Sequence, residues 1–136
     1  MTKTKVIFDT NFLIYAIKHK INIDYELNRV LTANYEIIIL KCVIGELEKL
    51  KTQLKGKEKF SINILLSLIK KYKTEEYDDG KYADDIIVNY VNEQKNRNNM
   101  VVVCTNDKEL KNRLGSMGAP IIIVKQKNYF ELQGAI

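Results

Sequence analysis

The chain of 136 residues has no tryptophan, one histidine (His19), one proline (Pro120) and two cysteines, Cys42 and Cys104. Two cysteines so far apart make neither a disulfide framework nor a structural zinc site, so a reducing, cytoplasmic setting is expected. One imidazole excludes any mechanism built on several histidines. With one proline and no Pro- or Ser-rich tract there is no linker, and residues 1–136 read as a single domain. No apolar run approaches the roughly 18–20 residues of a membrane span. The opening MTKTKVIFDTNF is too polar and short for a secretory segment, so no membrane association is expected.

What is present is a basic, core-forming composition. Hydrophobic residues make up 46%, which excludes a disordered tail. The net charge is +5, and only 3 of the 22 basic residues are arginine, so the positive field comes from lysine point charges rather than bidentate forks. Such a surface favours polyanions, most simply nucleic acid, although a lysine-rich coat on any soluble protein reads the same way. The densest basic stretch is Lys49, Lys51, Lys55, Lys57 and Lys59, around Gly56. It suits tracking of an RNA backbone, or simply a solvated helix end and loop.

Short β-branched runs alternate with longer helical patterns. Strands are predicted at Lys5–Asp9, Tyr35–Leu40, Met100–Cys104 and Ala119–Val124. Helices are predicted over Phe12–Lys18, Tyr25–Thr32, Val43–Leu54, Ser61–Tyr72, Tyr82–Gln94 and Lys108–Leu114. Strands apolar throughout and separated by helices specify an α/β fold with a central parallel sheet covered on both faces. In such sheets the working residues collect at the carboxyl ends of the strands.

That rule gathers acids. The first strand exits at Asp9 (FDTN) and the third runs out to Asp107 (CTNDKEL). The helix after the second strand carries Glu46 (VIGELEKL), and the helix feeding the third opens with Asp84 and Asp85 (YADDIIV). Four converging carboxylates need a compensating charge. Oxygen-only ligands point to Mg²⁺ or Mn²⁺ rather than zinc. Such ions lower the pKa of a bound water and stabilise an in-line phosphoryl displacement. An acidic hole in a basic surface suits a nuclease.

Each acid also has a plainer reading. Asp9 and Asp107 suit helix N-caps, Glu46 could pair with lysines on an exposed helix face, and Asp84 and Asp85 sit where a helix dipole welcomes negative charge. It is their joint placement on one edge that favours a site. Spacing leaves Asp84 and Asp85 unresolved: adjacent helical residues diverge by about 100°, so only one of them belongs at the centre.

At VIFDTNFLI, VIGELEKL, YADDIIV and VVVCTNDKEL, in that order from about Lys5 to Val124, the sequence resembles the PIN-domain ribonucleases. The resemblance implies a three-layer α/β/α fold and a metal-dependent endoribonuclease whose acids are Asp9, Glu46, Asp85 and Asp107. It gives supporting roles to Asn11 and Thr105, with Asp84 beside the site. GKEKF, the doubled acid and the ending GAPIIIVKQKNYFEL resemble archaeal relatives of rRNA-processing PIN proteins, while the VapC-type toxins are of similar length. The resemblance further implies an RNA substrate, a homodimer, and an antitoxin or pre-ribosomal partner.

Other uses of an acid-edged sheet fit less well. A haloacid-dehalogenase-type enzyme wants a second aspartate two residues after the first, where this chain has Asn11. A receiver domain fits DTN and TND poorly, and no glycine-rich loop follows the first strand for a dinucleotide. The alternative kept open is a non-catalytic RNA-binding assembly factor with a structural metal site. Tyr72, Tyr77 and Tyr82 flank the acidic loop, placed either to stack on bases or to pack half-buried. His19 has no assigned role, and both cysteines read as small buried hydrophobes.

Overall fold

A computed structural model describes residues 3–136. Its sheet has six strands: β1 (Thr4–Phe8), β2 (Tyr35–Leu40), β3 (Lys73–Glu75), β4 (Val101–Cys104), β5 (Ile121–Lys125) and β6 (Tyr129–Gln133). The order is β3-β2-β1-β4-β5-β6, parallel except for β6, which returns antiparallel along β5. The helices are α1 (Thr10–Lys18), α2 (Ile23–Val30), α3 (Lys41–Gln53), α4 (Gly56–Ile69), α5 (Ala83–Asn96) and α6 (Lys108–Ser116).

Strand alternation builds the layers. Val6 and Phe8, Ile37 and Ile39, Val102 and Cys104, and Ile122 and Val124 face one side, where Phe12, Leu13, Leu27, Val43, Leu47, Ile62 and Leu65 of α1–α4 cover them. Ile7, Ile38, Leu40, Val103 and Ile123 face the other, against Ile86, Ile87, Tyr90 and Val91 of α5 and Leu110 and Leu114 of α6. Both faces of the central strands are therefore buried, which is why those strands read as unbroken apolar runs. The result is the three-layer α/β/α arrangement with a mostly parallel central sheet.

All six helices form where the apolar spacing predicts them, with ends shifted by a few residues. Two strands had no prediction. β3 is three residues, KTE, with no apolar signal, and lies parallel beside β2. β6 follows a turn in which Gln126 and Lys127 adopt positive φ (50° and 61°), residue types that do not announce a hairpin. It is fastened to α2 from both sides: Glu26 Oε1 accepts the Phe130 N–H at 2.8 Å, and Arg29 Nη2 donates to the Phe130 carbonyl at 2.6 Å. Among the described residues no helix is long and apolar enough to cross a membrane.

Candidate active site

The centre of the carboxyl edge lies over β1 and β4. Phe8 stands beside Cys104 in register, and one residue on the Asp9 N–H donates to the Cys104 carbonyl at 3.1 Å. Asp9 and Thr105 thus leave adjacent strands side by side. Asp9 is buried, and its carboxylate is held at both ends. Oδ1 accepts the Phe12 N–H at 2.7 Å, capping α1, and Oδ2 accepts the hydroxyl of fully buried Thr105. The helix-cap reading of Asp9 therefore holds. Thr105 Oγ1 also accepts the Asp107 N–H at 3.1 Å, so one hydroxyl links the two acids.

The other acids stand around this pair. Asp107 caps α6 by accepting the Leu110 N–H at 2.7 Å. Asn106 between them is clasped to β5, its amide donating to the Val124 carbonyl at 3.1 Å and accepting the Val124 N–H at 2.8 Å, which fixes the exit of β4. β2 runs into α3 without a loop, and on α3 Glu46 Oε1 accepts the Thr10 hydroxyl at 2.8 Å. Asn11 is exposed, and the hydrogen bonds that hold Asp9 come from Phe12 and Thr105.

Electrostatics separate the adjacent aspartates. Burial, followed by the charges of Asp84 and Asp107, pushes the Asp9 carboxyl above its ordinary range against the pull of its two hydrogen bonds. Asp84 is raised by burial and then by Asp107, with Glu109 and Glu46 adding to it and Arg113 opposing. Asp84 and Asp107 therefore act on Asp9, and Asp107, Glu109 and Glu46 on Asp84, so these five acids share one field. Asp85 points round the helix to Arg113 of α6, with Nη1 to Oδ1 at 3.0 Å. Asp84 thus feels the charges of the neighbouring acids, whereas Asp85 is paired with a cation.

Among the described residues no ion pair reaches Asp9, Glu46, Asp84 or Asp107. Nor, as they stand, do three acid, histidine or cysteine side chains converge closely enough to grip one ion. The donor set still fits a hard divalent cation. All donors are carboxylate oxygens, each oxygen keeps a further lone pair, and the burial and neighbouring charges that raise Asp9 and Asp84 have no bonded counter-charge.

Lys49 and Lys51 lie on α3, Lys55 caps α4, and Lys57 and Lys59 lie in its first turns. Lys51 and Lys59 line a groove of about 670 Å³ with Ile44, Glu48, Leu66 and Lys70. Glu48 is on the side of α3 opposite Glu46, as two-residue helical spacing requires, so this groove lies behind the acids rather than over them. Thr10 and Arg113 were not singled out by sequence. Thr10 sits inside FDTN, where a hydroxyl beside an acid is a usable signal; Arg113 has none, because its partner lies on another helix, far off in the chain.

Residues 6–127 match the family model described as PIN like domain, and the chain belongs to that family. It is 48% identical to Ribonuclease VapC4 of Methanocaldococcus jannaschii over 97% of this chain and 98% of that protein. It is 36% identical to rRNA-processing protein fcf1 of Schizosaccharomyces pombe over 88% of this chain, but spans only 58% of that longer relative. Among solved structures it is similar to the PIN domain endonuclease Utp24, with a TM-score of 0.75, 33% identity, and coverage of 97% of this chain and 92% of that one.

Proposed function

We propose that this protein is a metal-dependent endoribonuclease that hydrolyses RNA phosphodiesters at the edge formed by β1, β4, α3 and α5, with Mg²⁺ or Mn²⁺ as cofactor. The observation that carries the reading is the buried Asp9 carboxylate at the sheet edge, linked through the Thr105 hydroxyl to Asp107, with none of Asp9, Glu46, Asp84 and Asp107 in an ion pair among the described residues. Similarity to a ribonuclease along the whole chain supports the reaction class. Asp9, Glu46, Asp84 and Asp107 are the residues that would hold the cofactor, and Asp85 contributes through Arg113. When bound, the cation supplies a water of lowered pKa and stabilises the oxygens of an in-line phosphoryl displacement.

The chain's own residues do the positioning. Thr105 and the α1 N-terminus fix the Asp9 carboxylate against the sheet, and the Thr10 hydroxyl holds Glu46. Arg113 beside α5 and the chain's net positive charge would attract the RNA backbone that the acids would otherwise repel. The lysine-lined groove between α3 and α4 lies behind the acids, so it would meet RNA only at a distance from the cut. Phe60, Ile64 and Leu68 form an exposed apolar stripe one turn apart on α4, which supports the homodimer that the resemblance implies. The test is cleavage of labelled single-stranded RNA with Mg²⁺ or Mn²⁺, running wild type beside Asp9→Asn and an EDTA control. Cutting should require the ion and vanish in the variant. Folded wild type that binds RNA and never cuts it makes the chain an assembly factor instead. An antitoxin-like reading frame beside the gene favours a toxin role, and its absence favours RNA maturation.

A further inference from the structure

Three tyrosines bracket the acidic segment before α5, and the structure uses them differently. The Tyr72 hydroxyl donates to Asp24 Oδ1 at 2.8 Å. Tyr77 packs edge-on against Tyr90, with ring centroids 5.3 Å apart at 76°. Both rings are committed to packing. Tyr82 is not: 64% of it is exposed, although it caps α5 only two residues before Asp84. Its ring is faced by the Lys81 ammonium, 5.5 Å from the centroid. A large aromatic side chain left in water beside a catalytic edge has an open π-face and an adjacent cation, the two features with which proteins hold unpaired nucleotides.

The pair is also held in place. Gly80 has φ +149°, and a Cβ there would come within 2.9 Å of the Ile86 nitrogen, so the loop lies directly on the first turn of α5. The Asn89 side chain donates to the Asp79 carbonyl at 2.7 Å, and the Ile86 N–H donates to the Tyr82 carbonyl at 3.0 Å. The backbone of Lys81 and Tyr82 is therefore fixed relative to the first turn of α5, which carries Asp84. Arg113, paired with Asp85, adds a second cation on the flank of α5.

We propose that Lys81 and Tyr82 form a subsite for one unpaired nucleotide next to the scissile phosphate. The base stacks on the Tyr82 ring, and the Lys81 ammonium takes the neighbouring phosphate. This rests on the endoribonuclease reading and deepens it: the enzyme selects single-stranded RNA, because bases in an A-form duplex are not free to stack on a protein ring. Loss of such a stack weakens binding by roughly five- to hundredfold.

The chain has no tryptophan, so Tyr82→Trp installs a single fluorescent reporter at the subsite. Its fluorescence is measured in EDTA while a single-stranded oligoadenylate RNA is titrated in, with binding followed in parallel by anisotropy. Tyr25→Trp, at a position equally exposed (65%) on α2 against the other face of the sheet, is the control. We expect RNA to quench the indole of the Tyr82→Trp protein and to leave that of Tyr25→Trp unchanged. Tyr82→Phe should bind as wild type and Tyr82→Ala should bind more weakly, with unchanged melting temperature. RNA that binds the Tyr82→Trp protein without quenching it, or binds Tyr82→Ala as tightly as wild type, overturns the subsite, as does an absence of RNA binding. Because these readouts need no cleavage, quenching in a protein that never cuts RNA keeps the subsite and removes only the nuclease reading.

Discussion

Replacing Thr105 by valine keeps the shape of a fully buried side chain and deletes one hydroxyl that serves two acids. A hydrogen bond to a charged acceptor contributes about 1.5–3 kcal/mol, and leaving the Asp107 N–H without its partner adds about 1 kcal/mol where water does not replace it. A net loss of about 2–3 kcal/mol follows. At about 2.1 cal/mol/K per residue, this chain unfolds with an entropy of about 0.3 kcal/mol/K, so the melting temperature should fall by about 7–10 °C. The loss has a pH signature. Burial raises the Asp9 carboxyl and the Thr105 hydroxyl lowers it, with burial prevailing. The folded state thus holds this proton more tightly than the unfolded chain, so ionising Asp9 costs stability once pH passes the ordinary aspartate value. Without the hydroxyl that cost grows. The deficit of Thr105→Val should be full near neutral pH and shrink as acid protonates Asp9. Thermal melts of both proteins from about pH 3 to about pH 7.5 in metal-free buffer, a range that begins below the ordinary aspartate value, check this. A deficit that is the same across the range, or below about 0.5 kcal/mol, refutes the reasoning.

Asp9→Asn keeps a side-chain oxygen for the Phe12 N–H and removes a charge whose ionisation is unfavourable in the fold. It should raise the metal-free melting temperature at neutral pH, by an amount that falls on acidification, while abolishing cleavage. Asp84→Asn should lower kcat by about a hundredfold or more, as losing a group that acts on the reacting centre does. Asp85→Asn, which frees only Arg113, should retain most of the rate, and equal losses in single-turnover assays would contradict this division. Glu26→Ala releases the Phe130 N–H and Arg29 from a buried carboxylate, so about 2–3 kcal/mol should be lost in denaturant melts. The Arg29 hydrogen bond holds Glu26 below its ordinary value. Its stabilisation is therefore present above the ordinary glutamate range, and the gap to the variant should close as pH falls through the folded value.

How much of this was legible before folding depended on where each signal lies. The four apolar strands and six helices announced themselves because both faces of the central strands are buried and each helix needs one apolar stripe. β3 did not, because three residues held by β2 and by Glu75 bonds to Lys5 and Tyr90 need no pattern of their own. β6 was hidden by a turn whose left-handed residues are Gln126 and Lys127 rather than glycine or asparagine. At the site, the strand-exit rule placed Asp9 and Asp107, while the division between Asp84 and Asp85 lay beyond it. That division depends on Arg113, which reaches Asp85 only after α5 and α6 pack on the same face. The exposed Tyr82 and the committed Tyr72 and Tyr77 likewise look alike until their neighbours are known.

Binding of a divalent cation at one point by the acids at the edge of β1, β4, α3 and α5 is the proposal on which the rest depends. Its most direct test is anomalous scattering from crystals of wild-type protein soaked in Mn²⁺. A peak bounded by Asp9, Asp84 and Asp107 with Glu46 at its margin is expected, lost in Asp9→Asn crystals treated in the same way. A peak at Asp85 and Arg113, or an active protein whose manganese sits elsewhere, would contradict it.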